Sequence, residues 1–340
     1  MIGKINDDLF RRVILPATGA PDGRVLVGPK MGVDAAILKV GDQFMAVAED
    51  PIFPVAGLPL TEFGYFTVHI GASDVAITGI KPEFLTYSLL VPPDTPEADL
   101  EATVTSIHAT AQELGIAIVG GHTGYYPAVT VPIIGGITVW GFGASYITPA
   151  GAKVKDAVLL TKGAAVEASG LLALVYQERL RRQGIAPEVL QAAQKNVYAM
   201  TVVKDALLAA ATGGVHAMHD ATEGGVLRGL WEIAQASGVG MFIRAADIFL
   251  APGAGEVLSA FGLDPLSSIS EGTLLLTCEA KAAPALLDTF ARAGIAAAVI
   301  GEVTEPEKGC ILSTPEGEKP FTAPPEDKFW EVFFAAGEKS

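Results

Sequence analysis

The chain has 340 residues, half of them hydrophobic and 18% charged, enough apolar side chain for a large buried core and enough length to predict two domains. Its net charge of −15 argues against nucleic acid and membrane surfaces as partners, because an acidic surface repels phosphate backbones and anionic lipid. A nucleotide stays open, since a divalent cation can stand between carboxylates and phosphates.

Met1–Arg12 carries Asp7 and Asp8 where a signal peptide needs an apolar run. The two cysteines, Cys278 and Cys310, are too few for a disulfide framework and fit a reducing compartment. The longest apolar stretch, Val129–Gly143, is broken by Pro132 and glycines and reads as buried strand. A soluble cytoplasmic protein is expected.

Strand and helix signals alternate along the first half. Ala35–Val40 and Phe44–Ala48 flank the turn Gly41-Asp42 and predict a hairpin. Glu62–Thr78 reads as a buried helix and Phe84–Val91 as a strand closed by Pro92-Pro93. Over Glu97–Leu114, Leu100, Val104, Ile107, Ala111 and Leu114 step by four and three, which builds one helical stripe ended by Gly115. Ile116–Val119 and Val129–Val139 predict further strands. Thr148-Pro149-Ala150-Gly151 is linker-like and places a boundary there.

The second half predicts strands at Ala157–Thr161, Val215–His219, Gly272–Cys278, Ala297–Val303 and Gly309–Ser313. Helices are predicted at Glu167–Arg182, Pro187–Ala211, Thr222–Ser237 and Ala282–Ala293. The expected class is α/β or α+β. The expected division is 1–148, 149–320 and a tail over 321–340.

Four segments set an aspartate among small or apolar residues: Gly32–Ala36 with Asp34, Ala48–Pro51 with Asp50, Ala72–Ala76 with Asp74, and His219–Gly225 with Asp220. A carboxylate in apolar surroundings is costly unless paired or metal-bound. Each aspartate alone is more readily a helix cap or turn residue, Asp220 above all, since it precedes a Gly-Gly helix start. As a set they point to a shared cation site. Magnesium suits it, binding oxygen ligands through few carboxylates plus substrate phosphates. Zinc does not: the cysteines lie far apart in the sequence, and His216 and His219 would point to opposite faces of one strand.

Val119–Gly124 adds a second signal. Glycines there let backbone N–H groups approach an anion, or simply make a tight turn. Neither a Walker A motif nor a G-x-G-x-x-G turn opening a helix occurs. Glu271, in Ser270-Glu271-Gly272, gains interest only if the fold brings it to the phosphates.

In this order the segments resemble the superfamily of aminoimidazole ribonucleotide synthetase, thiamine-monophosphate kinase, selenophosphate synthetase and HypE. The family's G-[DE]-D-A-A segment matches Gly32–Ala36, and its T-T-D strand end matches Ala48–Asp50. Its [NS]-D helix matches Ser73–Pro82, and its G-G-[DEH]-[ST] loop matches Gly120–Thr123. HypE-like segments match His216–Gly225, Leu263-Asp264-Pro265 and Ser270–Gly272.

The resemblance implies a two-domain PurM-like fold. Its N-terminal domain would form a β-barrel in a homodimer, and its C-terminal domain would be α/β. It implies ATP and magnesium as cofactors, with metal ligands Asp34, Asp50, Asp74 and Asp220. Nucleotide contacts would come from the first three of these and from Gly120, Gly121, His122 and Thr123. Glu271 and Asp220 would be catalytic. The implied reaction is ATP-dependent phosphorylation of an amide- or carbonyl-type oxygen on a small molecule or a protein-borne group.

Several positions depart from the pattern. Val33 and His122 each remove an acidic position, and Glu223 stands where HypE-like chains usually carry Arg. No cysteine stands in Ala336–Ser340, so self-dehydration on a C-terminal cysteine is not expected. Two other functions follow from these departures: an ATP-binding regulator or scaffold without turnover, and a maturation factor acting on a partner's cysteine.

Overall fold

The computed structural model describes residues 5, 7–55, 57–321 and 327–337. The chain forms two compact units. One comprises residues 23–28 and 34–146, the other residues 1–22, 29–33 and 147–340. The short N-terminal helix α1 (Asp7–Leu9) belongs to the second.

The first unit holds β1 (Val25–Val27), β2 (Ala36–Val40), β3 (Gln43–Ile52), α2 (Leu60–Ala76), β4 (Phe84–Val91), α3 (Glu97–Leu114), β5 (Ala117–Tyr125) and β6 (Ile133–Gly143). The strands form an open sheet in the order β1-β2-β3-β6-β4-β5. Only the β4–β5 pairing is parallel.

Helix α2 packs on the sheet and on α3, which explains why it is apolar on nearly every side. Both contacts are close. A Cβ on Gly64 would lie 2.5 Å from the Ser106 Cβ on α3, and one on Gly71 would lie 3.0 Å from Ile137 on β6. Helix α3 ends at Gly115, whose φ of 68° is the left-handed C-cap that glycine tolerates.

Of the two readings of segment 120–124, an anion-approaching stretch or a tight turn, the tight turn does not hold. Strand β5 runs straight through the segment, pairing Tyr87 with Gly121 and Ser88 with His122. Gly121 has a φ of +143°, and a Cβ there would meet the Tyr87 carbonyl oxygen at 2.2 Å. Glycine is what lets this stretch stay in the sheet.

The second unit carries β7 (Asp156–Thr161), α4 (Val166–Val175), α5 (Gln177–Arg182), α6 (Pro187–Gln194), α7 (Val203–Thr212), β8 (Val215–Asp220), α8 (Gly225–Ser237), β9 (Gly240–Arg244), α9 (Ala254–Ser259), β10 (Leu274–Glu279), α10 (Ala283–Arg292), β11 (Ala297–Thr304), β12 (Cys310–Thr314), β13 (Gly317–Pro320) and α11 (Phe329–Gly337). Its sheet runs β13-β12-β9-β11-β7-β10-β8, antiparallel except for β12 on β9. Val226, Leu230, Ile233 and Ala234 of α8 step by four, three and one, and they pack with Val158, Leu160, Met241 and Leu275 of the sheet.

Two expected helices are interrupted. The stretch 167–182 breaks at Tyr176, whose hydroxyl donates to the Phe333 carbonyl and whose ring packs against Phe261 and Phe333. The stretch 187–211 opens between α6 and α7. There Asn196 donates to Ser169 Oγ and to the Pro252 carbonyl, and Lys162 donates to the Thr201 carbonyl. Residues of the expected tail also form a helix: α11 buries Phe329, Trp330 and Phe333. Residues 322–326 and 338–340 of that tail, and residues 1–4 and 6 of the N-terminus, lie outside the described residues. Among the described residues no helix is long and apolar enough to cross a membrane.

Candidate functional site

The second unit brings acidic residues together around Glu167 from four places in the chain. Asp220 ends β8, where it pairs with Leu274 of β10. Glu223 lies in the turn that follows, Glu271 in the turn before β10, Glu167 in the first turn of α4, and Asp327 just before α11. Asp220 and Glu271 are buried, at 1% and 3% exposure. Glu167, Glu223 and Asp327 are half-buried.

Asp220 does not cap α8. The N-cap position of that helix is Gly224, in the left-handed region with no side-chain cap. Instead, Asp220 Oδ1 lies 3.3 Å from His219 Nδ1, and His219 Nε2 lies 3.0 Å from Glu232 Oε2. The other Glu232 oxygen takes Arg228 Nε at 2.9 Å, and Arg228 reaches Asp7 at 2.8 Å. Gly32 leans on this chain: a Cβ there would sit 2.8 Å from the Glu232 Cβ. His219 thus holds Asp220 by one oxygen. Asp220 Oδ2 is buried without a hydrogen-bond partner. An orphaned buried carboxylate oxygen is costly, and a hard cation would satisfy it.

Glu167 Oε2 accepts the Glu271 backbone N–H at 3.2 Å. Burial and the charges of Glu223, Asp327 and Asp220 push the Glu167 carboxyl from the ordinary 4.5 up to about 8, against the lowering effect of that hydrogen bond. Asp327 Oδ2 accepts from the Gly224 N–H at 2.9 Å, and its Oδ1 accepts from the Phe329 N–H at 2.8 Å. Burial raises this carboxyl too.

The other expected site residues lie in the first unit. Asp34 stands just before β2, Asp50 on β3 opposite Ile137, and Asp74 on α2 at 8% exposure. Gly120, Gly121, His122 and Thr123 lie on the exposed strand β5. His122 Nε2 is 2.6 Å from the Tyr126 hydroxyl. Gly121 is accounted for by Tyr87. Gly120 is not, because a Cβ there would make only an ordinary contact at 3.5 Å.

His216 takes no part in the carboxylate group; its Nδ1 lies 2.9 Å from both Asp156 oxygens. Cys278 is buried and Cys310 half-buried in strands, with the Cys278 thiol pushed up to about 12 chiefly by burial. Both behave as small hydrophobes.

Sequence reasoning did not single out Glu167 or Asp327. Glu167 had a signal, an acid among small and apolar residues in Gly163–Gly170. Asp327 had none, because its role depends on how α11 docks.

Family models for AIR synthase related protein match residues 32–142 with the N-terminal domain and 153–312 with the C-terminal domain. A relative named carbamoyl dehydratase HypE from Cupriavidus necator is 32% identical over 73% of this chain and 69% of its own length. The chain belongs to the AIR synthase-related family. HypE of Escherichia coli is similar to it at 32% identity, over 79% of this chain and 77% of that protein. A solved hydrogenase maturation protein HypE in complex with ATP shares the family fold at a TM-score of 0.69 and 23% identity. That match covers 93% of this chain and 91% of that one.

Proposed function

We propose that this AIR synthase-related chain is an ATP- and magnesium-dependent enzyme that phosphorylates an amide- or carbonyl-type oxygen, as its HypE relatives suggest. The observation that carries the reading is the buried, unpartnered Asp220 Oδ2, whose charge acts on the same Glu167 that accepts the Glu271 N–H. A deeply buried carboxylate oxygen left open in a family with an ATP-bound member fits a cation that carries phosphates.

In this reading Asp34, Asp50, Asp74 and Asp220 would hold a cation, which when bound would supply neutralisation of charge on a transferring phosphoryl group. The backbone of Gly120–Thr123 approaches the nucleotide. His219 fixes the direction of Asp220 through its ring. Glu271, held by Glu167, faces the substrate and takes or returns a proton. Phosphoryl transfer asks for positioning and charge neutralisation more than for covalent help from side chains.

The exposed edge β5, with Val119 and Tyr125 turned to solvent, supports pairing with a second copy of the chain. The test of the reading is release of phosphate from ATP and magnesium with and without small carboxamides. Turnover that Glu271→Gln lowers by about a hundredfold would support it. No release above background would overturn it.

A further inference from the structure

The turn that carries Glu271 is fastened to the start of α4 at three consecutive residues. The Ala168 N–H donates to the Ile269 carbonyl at 3.2 Å, and the Val166 N–H donates to Ser270 Oγ at 3.2 Å. Between them, the Glu167 side chain accepts the Glu271 N–H at 3.2 Å. The two backbone donors belong to the free first turn of the helix, where N–H groups lack intrahelical partners. The Glu167 carboxyl completes the set from the same turn.

The other side of the turn is equally constrained. Gly272 has a φ of +100°, and a Cβ there would meet the Ala199 carbonyl oxygen at 2.1 Å. Ser270 Oγ lies 2.7 Å from Thr273 Oγ1, which donates to the Gly163 carbonyl at 2.6 Å. The Glu271 backbone is therefore fixed from both sides, and the Glu167 side chain grips its amide.

We propose that Glu167 is a positioning residue for Glu271, setting the direction of its carboxyl through the grip on its backbone N–H. This inference rests on the proposed role of Glu271, but its structural half stands without any turnover. The charged groups that act on Glu167 are Glu223 from the turn before α8, Asp327 from just before α11 and Asp220 from β8. All are acidic. Burial first, and these charges after it, raise the Glu167 carboxyl to about 8, so near pH 7 it accepts the N–H as a neutral acid.

Two variants separate this role from mere packing. Glu167→Gln keeps an oxygen that can accept the Glu271 N–H; Glu167→Ala does not. Amide hydrogen exchange of Glu271, measured by NMR on the full chain without nucleotide, is the first readout. In Glu167→Ala it quickens by about tenfold, the loss of one hydrogen bond, and Glu167→Gln restores the protection. Phosphate release is the second. Glu167→Ala lowers kcat by about tenfold with KM for ATP within about twofold, and Glu167→Gln recovers most of kcat. Unchanged Glu271 exchange in Glu167→Ala overturns the proposal, whatever the turnover. Faster exchange in a chain that releases no phosphate even as wild type supports the grip on Glu271 and overturns the enzymatic reading instead.

Discussion

Glu167 and Glu271, 104 positions apart, meet through a side-chain oxygen and a backbone N–H at 3.2 Å. That contact ties the first turn of α4 to the turn before β10. It also puts an acid pushed up to about 8 within the field of three other carboxylates.

The pH dependence of stability follows. Glu167 ordinarily titrates near 4.5, and the folded chain raises this to about 8. Between those values the unfolded chain has lost the proton that the folded chain keeps. Each rise in pH over that window therefore favours unfolding. The favourable contribution is full below 4.5, declines from there and is gone above about 8. Urea unfolding in the presence of EDTA should show stability falling over this range. In Glu167→Gln the fall should be shallower; an identical slope would contradict the assignment.

Two neighbouring glycines should respond differently. Gly121→Ala forces a Cβ onto the Tyr87 carbonyl and should cost about 1–3 kcal/mol. Gly120→Ala meets only an ordinary contact and should fall within about 1 kcal/mol of wild type. Thermal melting of both proteins compares them directly, and equal melting temperatures would mean that β5 is not packed against β4 as described.

The C-terminal helix is part of the second unit's core. Phe333 is 2% exposed and packs on Tyr176 with ring centroids 5.3 Å apart. Phe333→Ala should cost about 3–5 kcal/mol in denaturant unfolding. A loss below about 1 kcal/mol would mean that α11 is not docked there.

Glu232 holds both His219 and Arg228 while nearly buried. Removing one member of such a set leaves the others unpaired, so Glu232→Ala should destabilise the chain by about 3–5 kcal/mol. Glu232→Gln, which keeps the shape, should lose less. Urea midpoints for the pair report this, and matching midpoints would deny the ion pair its role.

Much of the fold was legible because pattern alone determines it. Strand β4 and helix α3 show their periods plainly, and Gly115 marks a helix end that needs a left-handed residue. Only the start of strand β5 was legible, at Ile116–Val119: Gly120-Gly121 carries no side-chain pattern, and the Tyr87 backbone explains the second glycine. The breaks at Tyr176 and after Gln194 arise from contacts with residues as distant as Phe333 and Pro252. Within the site, Asp220 stood out as an acid after an apolar strand. The oxygen it leaves open depends on His219 and Glu232, which sequence spacing does not relate.

The proposed chemistry requires the carboxylate group around Asp220 to bind ATP through a cation. Isothermal titration of the full chain with ATP and magnesium tests it most directly. Wild type should bind ATP only with magnesium, and Asp220→Asn should bind at least about tenfold more weakly at an unchanged melting temperature. Equal affinity in the two proteins, or no binding by wild type, would contradict it.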